Sequence, residues 1–195
     1  MDDILGAKSQ IRGDMARMLS SMTEDTVADR TSRIEERLFG FANFQEARIP
    51  LLYISVGREV NTRRIISRCY GYNKMVILPL FEPDTGEARL LKIDDPSVDL
   101  RPGSAGVRMP DPKRCKEVPL ECIDIAILPG LAFDEKGGRL GGGDGTYDRL
   151  IPKLPITTRK VALTFEDQIL GQIPMEPHDR HVDIIITESR IIYKI

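Results

Sequence analysis

Ile49-Pro-Leu-Leu-Tyr-Ile-Ser55 is a short, almost continuous apolar run, and Met75-Val-Ile-Leu-Pro79 repeats the pattern downstream. A strand with one wet face alternates apolar and polar residues; a run apolar at consecutive positions is the mark of a strand covered on both faces. Between the two, Thr62 to Tyr70 carries Ile65, Ile66 and Cys69 at helical spacing, and Gly71 is placed to end that helix. Working outward, Ile123 to Leu128, Lys160 to Thr164 and Val182 to Thr187 read as further buried strands, with Ile191 to Tyr193 as a last edge strand. On the N-terminal side, residues 2–20 read as an amphipathic helix, because Ile4, Ala7, Ile11, Met15, Met18 and Leu19 recur at three- and four-residue steps. Thr23-Glu24-Asp25 is an N-cap followed by acids, opening a second helix through Val27, Ile34 and Leu38. Residues 80–118 hold several Pro and Gly and read as a loop-rich excursion, with Ala88 to Ile93 as a peripheral strand. Buried strands alternating with helices predict an α/β fold: one open, mostly parallel sheet with helices on both faces, in a single domain over residues 1–195. No internal repeat or low-complexity tract interrupts it.

Composition narrows the function. Of 195 residues, 41% are apolar and 30% charged, ordinary for a globular protein, and a formal net charge of −2 with no long Lys/Arg stripe argues against a nucleic-acid partner. No apolar run approaches the roughly 18 residues of a membrane span. The start, Met1-Asp-Asp-Ile-Leu-Gly-Ala-Lys8, lacks the basic and apolar regions of a signal peptide. Cys69, Cys115 and Cys122 are odd in number and irregular in spacing, which suits a reducing compartment, so a cytoplasmic location is expected. With His178 and His181 the only histidines, a structural zinc site is not expected.

In a sheet of this kind ligands sit beyond the carboxyl ends of the strands, at a switch in strand order. Three polar clusters follow strands here: Gly57-Arg-Glu-Val60, the glycine-rich run Gly137-Gly-Arg-Leu-Gly-Gly-Gly-Asp-Gly145, and Glu176-Pro-His-Asp179. The glycine run is neither a dinucleotide fingerprint nor a Walker A loop. Its composition nevertheless frees backbone N–H groups to turn on an anion, and a segment compatible with a helix, Tyr147 to Ile151, follows it. A flexible surface loop is the plainer account of the same composition. Arg139 offers a two-pronged guanidinium to a phosphate, and Asp148 is placed to hold Mg²⁺ against phosphate oxygens. Lys8 and Arg12 lie about 40° and about 80° around the helix from Ile4, on the shoulder of the apolar stripe. Phosphate or solvent is the expected partner for two cations so placed. Glu59 either accepts N–H groups from a heterocycle or solvates its loop, and Asp179 is either a turn residue or a carboxylate near a metal. No catalytic Ser or Cys context points to a nucleophile triad.

Taken together, these residues resemble the 5-formyltetrahydrofolate cyclo-ligase (methenyltetrahydrofolate synthetase) family over nearly the whole chain. The resemblance rests on the early pair Lys8 and Arg12, on Tyr53-Ile-Ser-Val-Gly-Arg-Glu59, on Pro129-Gly-Leu-Ala-Phe-Asp134, on the R-L-G-x-G-x-G-x-Y-D motif from Arg139 to Asp148, and on Pro174-Met-Glu-Pro-His-Asp179. It implies the open α/β fold shared with sugar-phosphate isomerases and coenzyme A transferases, and a monomer or weak homodimer. It also implies an ATP- and Mg²⁺-dependent enzyme that phosphorylates the formyl oxygen of 5-formyltetrahydrofolate and closes the ring to 5,10-methenyltetrahydrofolate. On that basis Lys8, Arg12, Arg139 and the run Leu140, Gly141, Gly142, Gly143, Asp144, Gly145, Thr146 and Tyr147 would bind ATP. Arg139 and Asp148 would be catalytic, Asp148 and Asp179 would bind Mg²⁺, and Ile54, Glu59 and Thr146 would face the folate. Two positions depart from the family pattern: Thr146 stands where members usually carry Tyr, and Asp144 where they often carry Gly, Lys or Arg. A paralogue that binds folate or nucleotide without this turnover is therefore the competing expectation. Fold analogy alone would also allow a sugar-phosphate or acyl-transfer enzyme, which has no motif behind it.

Overall fold

The computed structural model describes residues 2–103 and 107–194, without the side chain of Asp2. Two helices open the chain, α1 (Asp2–Ser21) and α2 (Glu24–Gly40), followed by a short α3 (Ala42–Glu46), strand β1 (Pro50–Leu51) and helix α4 (Arg63–Gly71). Strands β2 (Val76–Phe81) and β3 (Ala88–Ile93) come next, then α5 (Pro96–Asp99) and the paired β4 (Leu100–Pro102) and β5 (Arg108–Pro110). The second half holds β6 (Ile125–Leu128), β7 (Ala132–Asp134), β8 (Arg139–Leu140), α6 (Thr146–Leu150), β9 (Arg159–Leu163), β10 (Ile169–Leu170), β11 (Ile184–Ile186) and β12 (Ile191–Tyr193).

Seven strands form the main sheet in the order β12-β11-β9-β6-β1-β2-β3. Its inner pairings are all parallel, and only β12 and β3 run antiparallel at the two edges. The period-two geometry of a strand sorts the apolar runs onto two faces. Leu52, Ile127, Val161, Leu163 and Ile186 pack with Ile34 and Leu38 of α2, Phe44 of α3 and Ile65 and Ile66 of α4. Leu51, Ala126, Leu128, Ala162 and Ile185 point the other way, against Leu150, Ile151 and Leu154 at and after α6. Both faces are covered, as the continuous apolar runs predict. The chain moves to one side of β1 for β2 and returns to its other side for β6, so the strand order switches between β1 and β6.

Several boundaries differ from the sequence reading, for physical reasons. The Ile49–Ser55 run pairs as a strand only at Pro50–Leu51, with one further ladder bond from the Leu52 N–H to the Ile77 carbonyl at 2.8 Å. Beyond it, the Thr62 hydroxyl captures the backbone, donating to the Tyr53 carbonyl at 2.6 Å and accepting from the Ser55 N–H at 3.1 Å. Side-chain bonds of this kind compete with ladder bonds and peel the chain into a loop. Helix α4 runs through Gly71, and the left-handed residue that follows is Asn73 (φ 54°), another residue type that tolerates this conformation. Helix α3 has no periodic signal of its own. It is held by Lys74, a buried lysine whose ammonium donates to the carbonyls of Phe44, Gln45 and Ala47. Burial pushes the Lys74 pKa down, against weaker opposition from Cys69 and Asp124.

The excursion over residues 80–118 is more ordered than predicted: β3 pairs with β2 along its whole length, Asp95 caps α5, and β4 pairs with β5. Residues 104–106 of it lie outside the described residues. A second sheet, β10-β7-β8, is built from a hairpin after β6 and from Ile169–Leu170, which follows β9. Met15 of α1 packs on this small sheet with Ala132, Leu140 and Ile173.

Candidate functional site

The cleft lies where the switch in strand order puts it, beyond the carboxyl ends of β1 and β6. Its volume is about 430 Å³, and its walls come from α1, the loop after β1, the β7–β8 hairpin with the glycine run, and the 176–179 turn. Every site residue predicted from sequence lines it, from Lys8 and Arg12 through Ile54 and Glu59 to the run Arg139–Asp148 and Asp179.

The hairpin is fixed from below by Asp134, which is 3% exposed. Its Oδ1 accepts the N–H groups of Lys136 and Gly138 at 3.0 and 2.8 Å, and its Oδ2 accepts that of Ile173 at 2.7 Å. The turn thus formed delivers the glycine run to the cleft mouth. Gly143 (φ 110°) and Gly145 (φ 68°) take left-handed backbone that a side chain would strain, and this is what the glycines are for at those two positions. Among the described residues, no hydrogen bond takes the backbone N–H of Gly141, Gly142 or Gly143 as donor. The N–H of Thr146 is engaged: Asp144 Oδ1 accepts it at 3.2 Å and the Thr146 hydroxyl at 3.0 Å. Asp144 therefore closes the turn that opens α6.

Opposite the glycines stands α1. Arg12 Nε donates to the Gly141 carbonyl at 3.0 Å, tying the helix to the run. Lys8 does not reach solvent along the shoulder of α1; its side chain is 4% exposed, with Nζ 2.6 Å from Glu176 Oε2 and 2.5 Å from Asp179 Oδ2. Burial works against the Lys8 charge, but the hydrogen bonds and charges of Asp179 and Glu176 prevail and raise its pKa. Burial likewise works against the Asp179 carboxylate, while Lys8, the Glu176 N–H and His178 hold its pKa below the ordinary value. The Glu176 N–H donates to Asp179 Oδ2 at 2.7 Å, closing the turn on itself. His178 is exposed at the rim.

Arg139 departs from the sequence expectation of a free fork. Its side chain is 2% exposed, NH2 donates to Asp148 Oδ1 at 2.9 Å, and NH1 donates to the Pro129 carbonyl at 3.1 Å. Its Nε is buried without a partner. The Arg180 N–H also donates to Asp148 Oδ1, at 3.1 Å, which sets Asp148 beside the backbone next to Asp179. Across the cleft, Glu59 Oε2 accepts the Val56 N–H at 2.8 Å, and burial raises its pKa against that bond. Glu59 lies near Tyr53 and Tyr147; burial pushes both phenols up, and its charge adds to the shift. Tyr147 packs edge-on against Phe81.

Glu176 and Asp134 lie inside stretches that the sequence marks, but their roles come from the structure. Glu176 had a signal in its spacing, three residues before Asp179 across Pro177. Nothing local marks the anchoring role of Asp134, because its three N–H donors come from a hairpin and a distant segment. Asp148 and Asp179 both line the cleft, and carboxylate oxygens are the donor type that Mg²⁺ takes.

The 5-formyltetrahydrofolate cyclo-ligase family model matches residues 5–188. A probable 5-formyltetrahydrofolate cyclo-ligase of Caenorhabditis elegans is 28% identical over 98% of this chain and 98% of its own length. The 5-formyltetrahydrofolate cyclo-ligase of Mycolicibacterium smegmatis is 27% identical over 94% of this chain and 95% of its own. Among solved structures, the 5,10-methenyltetrahydrofolate synthetase of Aquifex aeolicus superposes with a TM-score of 0.84 at 26% identity, covering 96% of this chain and 92% of that one. With the family's motifs gathered in one cleft and its model spanning almost all of the sequence, the chain belongs to the 5-formyltetrahydrofolate cyclo-ligase family.

Proposed function

We propose that the protein converts 5-formyltetrahydrofolate to 5,10-methenyltetrahydrofolate at the expense of ATP. The observation that carries the reading is the facing of two surfaces in one cleft: glycine amides with no hydrogen-bond partner among the described residues on one side, Lys8 and Arg12 on the other. Phosphoryl transfer depends on positioning and charge neutralisation more than on a protein nucleophile, and none is needed here. The glycine amides, Arg12 and Lys8 bind the phosphates of ATP. Arg139 holds Asp148 in place through its NH2, and its positive charge lies along the wall of the same cleft. Asp148 and Asp179 would hold Mg²⁺, which would supply positive charge to neutralise the phosphates. Ile54 forms an apolar wall for the folate, and the Glu59 carboxylate accepts N–H groups of the pterin. The formyl oxygen attacks the γ-phosphorus with release of ADP. The neighbouring secondary amine then attacks the activated formyl carbon, gives up its N–H proton to the departing phosphate or to solvent, and phosphate leaves as the ring closes. The walls of the cleft position these groups and limit access of water.

The test is the growth of methenyl absorbance on mixing purified protein with ATP, Mg²⁺ and 5-formyltetrahydrofolate, with no growth when any one is omitted. Absence of product from the complete mixture would overturn the proposal. One observation favours the competing reading of a binder without turnover. Thr146 leaves the cleft without the usual aromatic ring, and the Asp144 carboxylate sits beside the phosphate-facing glycines. That reading prevails if ATP binds without turnover and Thr146→Tyr creates activity. The compartment and assembly belong to the same proposal: a cytoplasmic monomer or weak homodimer, checked by fractionation and sedimentation. Among the described residues no helix is long and apolar enough to cross a membrane, and one plant relative is named as mitochondrial.

A further inference from the structure

Lys8, a predicted phosphate ligand, is held by two carboxylates of the protein itself. Its ammonium sits against Glu176 Oε2 and Asp179 Oδ2 with almost no exposure. Ligand atoms of Glu176, His178 and Asp179 all lie within 4.8 Å of one another, a span that a single cation can bridge. The ammonium therefore occupies the neighbourhood in which the proposed function places a divalent cation on Asp179. Two cations so close repel strongly where water is largely excluded. Releasing Lys8 with nothing in its place would leave two adjacent carboxylates uncompensated beside phosphate oxygens.

We propose that Glu176 joins Asp179 in the cation site, and that this carboxylate pair holds either the Lys8 ammonium or a divalent cation, in exchange. Lys8 is then an internal counter-ion, released toward the phosphates when the carboxylates take the metal. The exchange couples nucleotide binding to metal binding, because each favours the arrangement the other needs. Metal without nucleotide binds weakly, since it must displace Lys8 with no phosphate to receive it. The proposal rests on the reading of the cleft as a metal–nucleotide site, and it gives Glu176 a role that its place in a tight turn alone does not require.

The experiment measures Mn²⁺ binding to the full-length protein by electron paramagnetic resonance, with neither nucleotide nor folate present. Lys8→Met is expected to tighten Mn²⁺ about tenfold or more, and Glu176→Gln to weaken it by a similar factor, both within the usual range of couplings between sites. In the wild-type protein, mass spectrometry after treatment with an amine-reactive probe is expected to find Lys8 slow to react, and several-fold faster once Mn²⁺ is added. Unchanged or weaker Mn²⁺ affinity in Lys8→Met, or Lys8 reactivity indifferent to Mn²⁺, overturns the exchange and leaves a structural ion pair. Should Lys8→Met not fold, the wild-type labelling decides alone. These measurements need no turnover, so their failure is distinct from failure of the methenyl assay.

Discussion

Glu59 illustrates how a single side chain serves the cleft at a cost to the fold. Burial raises its pKa, so the folded protein binds this proton more tightly than the unfolded chain does. Stability from this group is therefore greatest at low pH and declines as pH rises from the unfolded value through the raised one. The proposed role requires the ionised form, which accepts from the pterin, so activity should fall as pH drops through that raised value. Glu59→Gln is expected to raise the melting temperature at neutral pH, to raise KM for the folate, and to flatten the acid limb of the rate profile. A lower melting temperature in the variant would contradict the burial argument. Asp148 is a second case. Asp148→Asn keeps the shape but removes the charge that pairs with Arg139, and kcat/KM should fall by roughly 10²-fold or more, in the range seen when a transition-state charge loses one stabilising group. The assay in varied Mg²⁺ checks whether excess metal restores part of the loss. Asp144 and Thr146 are legible as departures in the sequence, but only the structure shows the carboxylate spent on the turn at the start of α6.

At the level of elements, the best-read features are those whose cause is local. Thr23 caps α2 as its position before two acids predicts, accepting the Thr26 N–H at 3.2 Å. Thr23→Ala should cost about 1 kcal/mol by chemical denaturation, the usual loss for a cap of this type. The β7–β8 hairpin is the opposite case. Its strands have two and three residues, too short for periodicity to register, and its anchor Asp134 gathers donors from Lys136, Gly138 and Ile173. Asp134→Ala strands these N–H groups, two of them in buried surroundings, and should cost roughly 3 kcal/mol or more of stability. Thermal unfolding measures the loss. Because the hairpin carries the glycine run, weaker ATP binding should accompany it.

Over the whole molecule, the site is a product of docking. Helix α1 rests on the small sheet through Met15, reaches the glycine run through Arg12 and closes the 176–179 turn through Lys8. Among the described residues of α1 only Met15 and Leu19 are buried apolar side chains, which makes α1 a candidate for local opening below the global unfolding free energy. Amide exchange in α1 should be faster than in β6 or β9, should slow on addition of ATP with Mg²⁺, and should quicken in Met15→Ala. Uniform exchange across these elements would contradict this. The sequence by itself determined the parallel sheet, because strands buried on both faces must be apolar at consecutive positions, and that pattern survives without knowledge of neighbours. It also determined the family, because the motif residues and their order are one-dimensional facts. Only the tertiary structure decided who meets whom: that Lys8 pairs with carboxylates more than 160 residues away, that Arg139 steadies Asp148, and that Asp134 anchors the hairpin. The reason is physical. Burial and period are written locally along the chain, whereas the partner of a buried charge depends on which distant segment the sheet order brings beside it.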